Sequence, residues 1–512
     1  ERAAVAPEAE APAAEPVLVN AETPQRTYGN WKRESVAGYF GLGPKGAIVF
    51  YGLILLALIS LFQRQWLLLA GSVLAMALIQ VLYRVRDRHH RHTGDKLATV
   101  LGWQRQKISG SNMYRSGPLG VDRLGKNRLP GLAARSELLE VQDAFGRHFC
   151  IIRSPAQRHY TVVLSANPDG NALVDQDQID TWVGMWGNFL ASVGDEARLV
   201  GFTVTIETAP DGGAMLSREV KMNLHDDAPE FARQYMQEVV DTFPEGAAAT
   251  TAWMAFTYQM EPGATKDQQE FIRFFQSRMT FLSTHLEGTG VGSVTPVTAD
   301  ELCEYIRISY DPAASSLVED ARAAGESLHL DWEETGPTAY DAEWDYFKHD
   351  SGVSVSWYMS QAPRGQVISR VLEPLLEPID LVERKRVTLI YRPIPSEDAG
   401  DMVVNDSTSA RYRATKANAD ERAAMEFRQA KATEREEAEG AGLVRFGMIV
   451  TATTRREDKL DEMVTAVEAR GRSSGRIRLR RAWATQASAF AAGLPLGVVL
   501  PEQISVRRGG QQ

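Results

Sequence analysis

Two adjacent apolar segments near the start of the sequence interrupt a chain that otherwise mixes hydrophobic and polar residues. Residues 47–62 and 66–83 contain no charged residue, and only the Gln-Arg-Gln sequence at 63–65 separates them. With 16 and 18 residues, each is slightly shorter than the roughly 20 that span a bilayer as a straight helix. Both segments are apolar on every side rather than along one stripe, as lipid-facing helices must be. The pattern predicts a transmembrane helical hairpin over residues 47–83.

The residues that flank the hairpin predict its orientation. Four arginines follow the second segment closely: Arg84, Arg86, Arg88 and Arg91. Basic residues also precede the first segment, within 32–45, whereas the connection between the segments offers only Arg64. Because short loops rich in Lys and Arg stay on the cytoplasmic side, we predict a multi-pass protein of the plasma membrane with both termini in the cytoplasm. The arginine cluster is expected to be an ordinary membrane flank that contacts the lipid bilayer, with specific binding of lipid or nucleic acid as the alternative.

Beyond the hairpin, segments with the two-residue period of strands alternate with segments of helical period. The sequence HYTVVLSA at 159–166 alternates as a strand does, while residues 177–193 carry apolar side chains at helical spacing. The expected fold class is therefore a mixed α+β cytoplasmic region that follows an N-terminal two-helix transmembrane hairpin. A charged, alanine-rich segment at about 398–440 predicts one long helix with opposite charges at helical neighbour spacing. Its apolar stripe is thin, so the segment is either a solvent-bridging arm or a surface for another helix, and of the two we expect a mostly exposed arm.

Changes of composition divide the chain into six regions. We expect a disordered Ala, Pro and Glu tail at 1–25, a membrane-surface lead-in at 26–46, the hairpin at 47–83, a basic flank and linker at 84–131, a first α/β domain at 132–318 and a second at 319–512.

Composition also narrows the classes of function. The chain has 56 Lys and Arg against 66 Asp and Glu, and its net charge of -10 argues against a dedicated nucleic-acid-binding protein. Its two cysteines, Cys150 and Cys303, lie far apart in apolar contexts and form neither a disulfide framework nor a metal site. We expect both to be small buried residues in a reducing cytoplasm.

The sequence contains no familiar catalytic motif. GVDRLGKN at 120–127 has the glycine and lysine spacing of a phosphate loop, but it ends in Asn127 and is followed by Pro130 where a helix should begin, which predicts a turn. His89, His90 and His92 lie among arginines, which disfavour a bound cation. The acidic segment at 331–345 is expected to be a solvated face or a partner-binding loop. We therefore expect no catalytic residue, no cofactor and no metal.

Short motifs near both ends resemble components of type IV secretion systems. The hairpin with its basic flank resembles the small two-helix inner-membrane subunit of these systems, and RTYGNW at 26–31 resembles the opening of an actinobacterial form. TQASAFAAGLPLG at 485–497 resembles the signature that closes the N-terminal domain of the conjugation ATPase. The sequence has no Walker loop, so the resemblance implies the two-helix subunit fused to that domain without the motor, and it implies no catalytic residue.

The resemblance further implies a non-enzymatic scaffold of a conjugative transfer apparatus. Such a scaffold would dock a separate motor ATPase and other membrane subunits, as a homo- or hetero-oligomer, and direct contact with DNA stays open. Leu494, Pro495 and Gly497 would lie near the face that meets the ATPase, although they fit a helix stop with a structural turn equally well. Two alternatives remain: a core membrane component of an actinobacterial type VII secretion system, and a membrane-bound enzyme with an unrecognised site.

Overall fold

A computed structural model describes the chain between residues 44 and 500. Within these bounds the description leaves out residues 85–92, 118–119, 121–124, 144, 169, 171–173, 212, 226, 243–247, 262, 264–267, 364–366 and 416–420. The predicted tail, most of the predicted lead-in, the three histidines at 89, 90 and 92, and Arg86, Arg88 and Arg91 therefore lie outside the described residues.

Helices and strands alternate along most of the described chain. The helices are α1 (Pro44–Phe62), α2 (Trp66–Arg84), α3 (Thr93–Ser109), α4 (Gln176–Gly194), α5 (Ala214–Asn223), α6 (Glu230–Thr242), α7 (Gln268–Leu286), α8 (Ala299–Tyr310), α9 (Ser315–Ala324), α10 (Glu373–Leu376), α11 (Ser396–Ala414), α12 (Glu421–Ala438), α13 (Leu460–Ser473) and α14 (Gln486–Ala492). The strands are β1 (Met113–Arg115), β2 (Glu137–Gln142), β3 (His148–Ser154), β4 (His159–Asn167), β5 (Leu199–Pro210), β6 (Ala248–Gln259), β7 (Ser293–Pro296), β8 (Ala339–Ala342), β9 (Phe347–His349), β10 (Gly352–Gln361), β11 (Arg384–Pro393), β12 (Val444–Thr454) and β13 (Arg478–Arg481).

Thirteen strands of the described residues form one antiparallel sheet. Its order is β1-β8-β9-β10-β12-β11-β5-β6-β4-β3-β2, with β13 beside β10 and β7 beside β4. Helices pack on the sheet, so the predicted mixed α+β class is confirmed. The predicted boundary between residues 318 and 319 falls inside α9, and the sheet continues across it through the pairing of β5 with β11.

The two halves of the sheet have the same connectivity. In the first half β3, β6 and β7 pair with β4, and β5 pairs with β6. In the second half β9, β12 and β13 pair with β10, and β11 pairs with β12. Each half inserts two helices between its long strands, α5 and α6 in the first and α11 and α12 in the second. Because the equivalent strands β5 and β11 pair antiparallel, an approximate twofold axis relates the halves.

Each face of the sheet carries an apolar core, because side chains alternate along the strands. On one face α4 and α7 cover the first half around Phe189 and Phe275, and α10 and α13 cover the second half around Met463. On the opposite face α8, α14 and residues 494–500 form one continuous core that takes side chains from both halves, such as Val163 and Ile449. This shared core joins the halves.

The local sequence of α8 fixes how this helix meets the shared core. The Thr298 hydroxyl accepts a hydrogen bond from the backbone N–H of Glu301, and the Glu301 carboxylate accepts one from the backbone N–H of Thr298. This capping box satisfies two backbone donors and starts the helix. Leu302 and Ile306 follow at helical spacing and are fully buried against the sheet. The same face of the helix directs Tyr305 toward the central strands.

The charged segment predicted as one long helix is a pair of antiparallel helices instead. Helix α11 ends at Ala414 and α12 begins at Glu421, and the two helices pack along each other, with Arg413 paired to Glu426 at 3.3 Å. Ala410 of α11 and Ala430 of α12 are buried at the contact. The thin apolar stripe is therefore sufficient for two helices that approach through small residues, and charged side chains still cover the outside.

Helices α1 and α2 pair as the hairpin anticipated from the two apolar segments, with Arg64 in the left-handed region (φ 54°) at the turn. Within the described residues, no helix combines the length and the hydropathy that crossing a membrane requires.

Candidate functional site

The hairpin of α1 and α2 exposes many large apolar side chains and buries two serines. Leu67 is 90 % exposed and Leu55 is 60 % exposed, whereas Ser60 and Ser72 are 2 % and 3 % exposed. Each buried hydroxyl donates to a carbonyl of its own helix, from Ser60 to Leu56 at 2.7 Å and from Ser72 to Leu69 at 2.8 Å. A helical pair in water has the opposite arrangement, because burial of large apolar side chains is what stabilises it.

Helix α3 connects the hairpin region to the sheet through tryptophans. The ring of Trp103 lies 6.1 Å from that of Trp344, in the β8–β9 connection, and Trp344 lies 6.1 Å from Trp483, just before α14. Lys107 of α3 forms an ion pair with Glu343 at 3.3 Å. Because β1 follows directly and joins the sheet beside β8, α3 is held to the body at several points.

The structure places Leu494, Pro495 and Gly497, the residues predicted to lie near a partner interface, in the interior. All three residues are buried, and Leu494 belongs to the shared core. Gly497 has φ 66°, and a Cβ there would lie 1.9 Å from the Thr161 hydroxyl oxygen. These three residues therefore form a structural turn, the alternative that the sequence also suggested, whereas Thr485 and Ser488 earlier in the 485–497 motif are exposed.

A cluster of charged side chains lies at the junction of the halves, beneath α8 and α14. Glu207 of β5 faces Arg386 of β11 across the central strand pair, and both are 1 % exposed. The Glu207 carboxylate accepts hydrogen bonds from Arg384, from Arg386 at 3.4 Å and from the Tyr305 hydroxyl at 3.1 Å. The guanidinium of Arg386 also lies 4.5 Å from the centre of the Phe490 ring, within cation–π distance.

The charges of this cluster determine its protonation. Burial raises the pKa of the Glu207 carboxyl, but the two neighbouring guanidinium groups outweigh burial, so that this pKa lies below its usual value. Burial and the adjacent carboxylate raise the pKa of Tyr305 well above its usual range. Glu207 is therefore ionised and Tyr305 is a neutral donor at pH 7. The arrangement suits a structural role better than proton transfer, because Glu207, Arg386 and Tyr305 are buried and hydrogen-bonded to one another.

His349 is the buried histidine of the shared core. Its Nδ1 lies 2.5 Å from the Tyr310 carbonyl oxygen and its Nε2 lies 2.7 Å from the Ser354 hydroxyl. Burial is the main cause that lowers the pKa of His349 to about 4. The side chain is therefore neutral at pH 7.

We expect the stability of the folded body to fall in acid because of His349. Its folded pKa of about 4 lies below the ordinary value of 6.5, so the unfolded chain binds the proton more readily. The stability contributed by the neutral ring is complete above pH 6.5 and is lost as the pH falls toward 4. Urea midpoints between pH 7 and pH 4 should show this loss, and a His349→Gln variant should show a shallower one. Equal slopes for both proteins would refute the assignment.

The two cysteines and the acidic segment, also considered from sequence, are buried or paired within the described chain. Cys150 and Cys303 are free and buried, as expected, and burial raises the pKa of the Cys303 thiol to about 11. Glu333 of the acidic segment pairs with Lys126 and Arg128 of the linker, and Asp341 accepts a hydrogen bond from Asn112 at 3.1 Å. The acidic segment thus holds the linker to the body. No three carboxylate, His or Cys side chains of the described chain are grouped to hold a metal ion.

The most informative residues escaped the sequence analysis. Ser60 and Ser72 are two of the few polar residues within the apolar segments, and their positions in the sequence gave no sign that both would be buried in the helical pair. Glu207 and Arg386 lie within strands whose other residues are mostly buried. A charged residue in a segment predicted to be a central strand is the sequence signal that could have identified them. Comparison with known protein families gives no match for the chain, and comparison with curated proteins gives none either.

Proposed function

We propose that α1 and α2 insert into a lipid bilayer and that the rest of the chain is a non-enzymatic scaffold held at the membrane surface. The observation that carries the proposal is the inverted packing of the hairpin, with serines inside and large apolar side chains outside. Small residues let membrane helices approach closely, and an apolar outer surface suits hydrocarbon rather than water. The predicted basic flank at Arg84, Arg86, Arg88 and Arg91 would then lie on the cytoplasmic side.

We further propose that this scaffold serves an apparatus of the conjugative type and docks a separate motor ATPase. The short motifs at 26–31 and 485–497 support this assignment by resemblance. The continuous sheet provides a rigid platform, and the helical pair α11 and α12 exposes large apolar side chains at Val404, Tyr412 and Met425. Since Leu494, Pro495 and Gly497 are buried, we assign the docking surface to this helical pair.

Membrane insertion is tested by placing charges on the outer surface of the hairpin. An arginine at the centre of a membrane helix costs about 2.5–3.5 kcal/mol in insertion measurements. We therefore expect the wild-type chain to stay in the membrane pellet after washing with alkaline carbonate, and a Leu55→Arg/Leu74→Arg variant to be released or degraded.

The matched control introduces an arginine outside the hairpin, on the surface of α9. Leu317 of α9 is 59 % exposed, comparable to the two hairpin leucines, and a Leu317→Arg variant should stay with the membrane. Release of the wild-type chain by carbonate would contradict the proposed anchor.

A further inference from the structure

Two guanidinium groups share one carboxylate where the halves of the sheet meet, and we call these three residues the junction cluster: Glu207, Arg384 and Arg386. Both arginines of β11 form their ion pair with Glu207 of β5, Arg386 at 3.4 Å. Lys385 points to the other face of the sheet, where its ammonium group donates to the Glu377 carbonyl. Two positive charges and one negative charge therefore leave the junction cluster with one excess positive charge.

The protein encloses this excess charge. Glu207 and Arg386 are each 1 % exposed, and the side chain of Arg384 is 12 % exposed. Phe490 of α14 and Tyr305 of α8 contact the cluster, and both are buried. An ionised side chain removed from water is stable only when a counter-charge and hydrogen bonds replace its hydration. Glu207 supplies one counter-charge for two guanidinium groups, so half of this requirement is met.

The same guanidinium groups carry buried donors that no described residue accepts. Arg386 uses Nη1 for Glu207, whereas its Nε and Nη2 have no hydrogen-bond partner. These two N–H groups lie along one edge of the guanidinium plane, the fork with which arginine binds an anion through two parallel hydrogen bonds. Nε of Arg384 is a further donor of this kind, as is Nε1 of Trp253, whose ring lies 4.4 Å from that of Tyr305. The excess charge and the unpaired donors thus occur together.

The junction cluster approaches solvent at the start of β11. Arg384 is the first residue of this strand, and its side chain is the partly exposed member of the cluster. Arg386 lies two residues further along and is enclosed. A ligand that reaches the free edge of Arg386 must therefore be small enough to pass beside the Arg384 side chain.

We propose that the junction cluster binds a small monovalent anion of the size of chloride. The anion accepts the N–H groups of Arg386 Nε and Nη2, and its single negative charge balances the excess positive charge. Water accepts the same hydrogen bonds but leaves the charge unbalanced. A bulky or polyvalent anion suits neither the enclosed position nor the single excess charge. The bound anion stabilises the junction of the halves, and the proposal does not rest on the membrane scaffold.

Binding is measured through the urea unfolding midpoint of the full-length protein in neutral detergent. Potassium gluconate is replaced stepwise by potassium chloride at constant ionic strength, with gluconate as the reference anion because it is too bulky for the cluster. A ligand that binds only the folded state divides the unfolding equilibrium constant by 1 + [L]/Kd. At a chloride concentration of about 100 Kd, this constant should therefore be about a hundredfold smaller than in gluconate.

Substitutions of Arg384 test whether the effect depends on the excess charge. An Arg384→Gln variant should lose the dependence on chloride, because Glu207 then balances the one remaining guanidinium. An Arg384→Lys variant keeps the charge and should keep the dependence. The matched control is Arg455→Gln, which removes an exposed arginine paired with Glu383 at 3.0 Å, next to the cluster in sequence. This control should respond to chloride as the wild type does.

The proposal is overturned if the wild-type midpoint does not depend on chloride, or if Arg384→Gln responds as strongly as the wild type. Loss of the response in Arg455→Gln would also overturn it, since the effect would then not belong to the junction cluster. If Arg384→Gln does not fold, wild-type crystals grown in bromide decide the question. We expect an anomalous scattering peak within hydrogen-bond distance of Arg386, whereas ordered water alone at this position would refute the anion site.

Discussion

A Glu207→Ala variant is expected to lose about 3–5 kcal/mol of unfolding free energy, the usual cost of removing one partner from a buried ion pair. The substitution leaves Arg384 and Arg386 beneath α8 and α14 without their shared carboxylate. Arg386 already has two guanidinium nitrogens, Nε and Nη2, without a hydrogen-bond partner in the described chain. The guanidinium of Arg386 would then keep its cation–π contact with the Phe490 ring but would have lost its ion pair with Glu207.

Urea unfolding followed by tryptophan fluorescence measures this loss. The matched control is Glu439→Ala, which breaks an exposed ion pair with Arg435 and should cost less than about 1 kcal/mol. A Glu207→Ala variant as stable as this control would show that the cluster does not join the halves.

A Gly497→Ala variant is expected to lose about 2–4 kcal/mol, for two separate reasons. The residue has φ 66°, a conformation that costs alanine roughly 1 kcal/mol. Its new Cβ would also overlap the hydroxyl of Thr161, which is buried and lies 3.0 Å from the Thr257 hydroxyl. Overpacking of this kind typically adds about 1–3 kcal/mol.

Gly110 separates the two contributions. It has nearly the same φ, 65°, but a Cβ there would meet nothing within 4 Å. Gly110→Ala should therefore lose only the conformational part, about 1 kcal/mol. Equal losses for the two variants would mean that the C-terminal segment does not press against β4. The thermal midpoints of both variants, measured in the same detergent, decide between these results.

Periodicity predicted the elements of the fold but not their arrangement. The alternation at 159–166 and the helical spacing at 177–193 correspond to β4 and α4, because each pattern reflects a local choice between strand and helix. The pairing of β5 with β11 joins residues about 180 positions apart, and no local pattern encodes it. For the same reason the duplication of the halves stayed invisible, since equivalent strands share only the alternation that any half-buried strand has.

Only those features of the candidate site that neighbouring residues encode could be predicted from the sequence. The apolar segments identified the hairpin, but the direction of its serines depends on how two helices pack. Leu494 and Gly497 carry a recognisable motif, yet sequence could not distinguish a surface turn from a buried one, because apolar side chains and glycine suit both.

If the chain is a membrane scaffold that docks a motor ATPase, that ATPase should be bound to it in the native membrane. Identifying the proteins bound there is the most direct experiment. The full-length protein is purified by affinity tag from detergent-solubilised membranes, and the accompanying proteins are quantified by mass spectrometry. We expect a Walker-motif ATPase and other conjugation subunits to be recovered with the wild-type chain in fixed ratio. The ATPase should be lost from a Tyr412→Glu/Met425→Glu variant and retained by a Leu317→Arg variant. Recovery of the chain alone, or together with type VII secretion subunits, would contradict it.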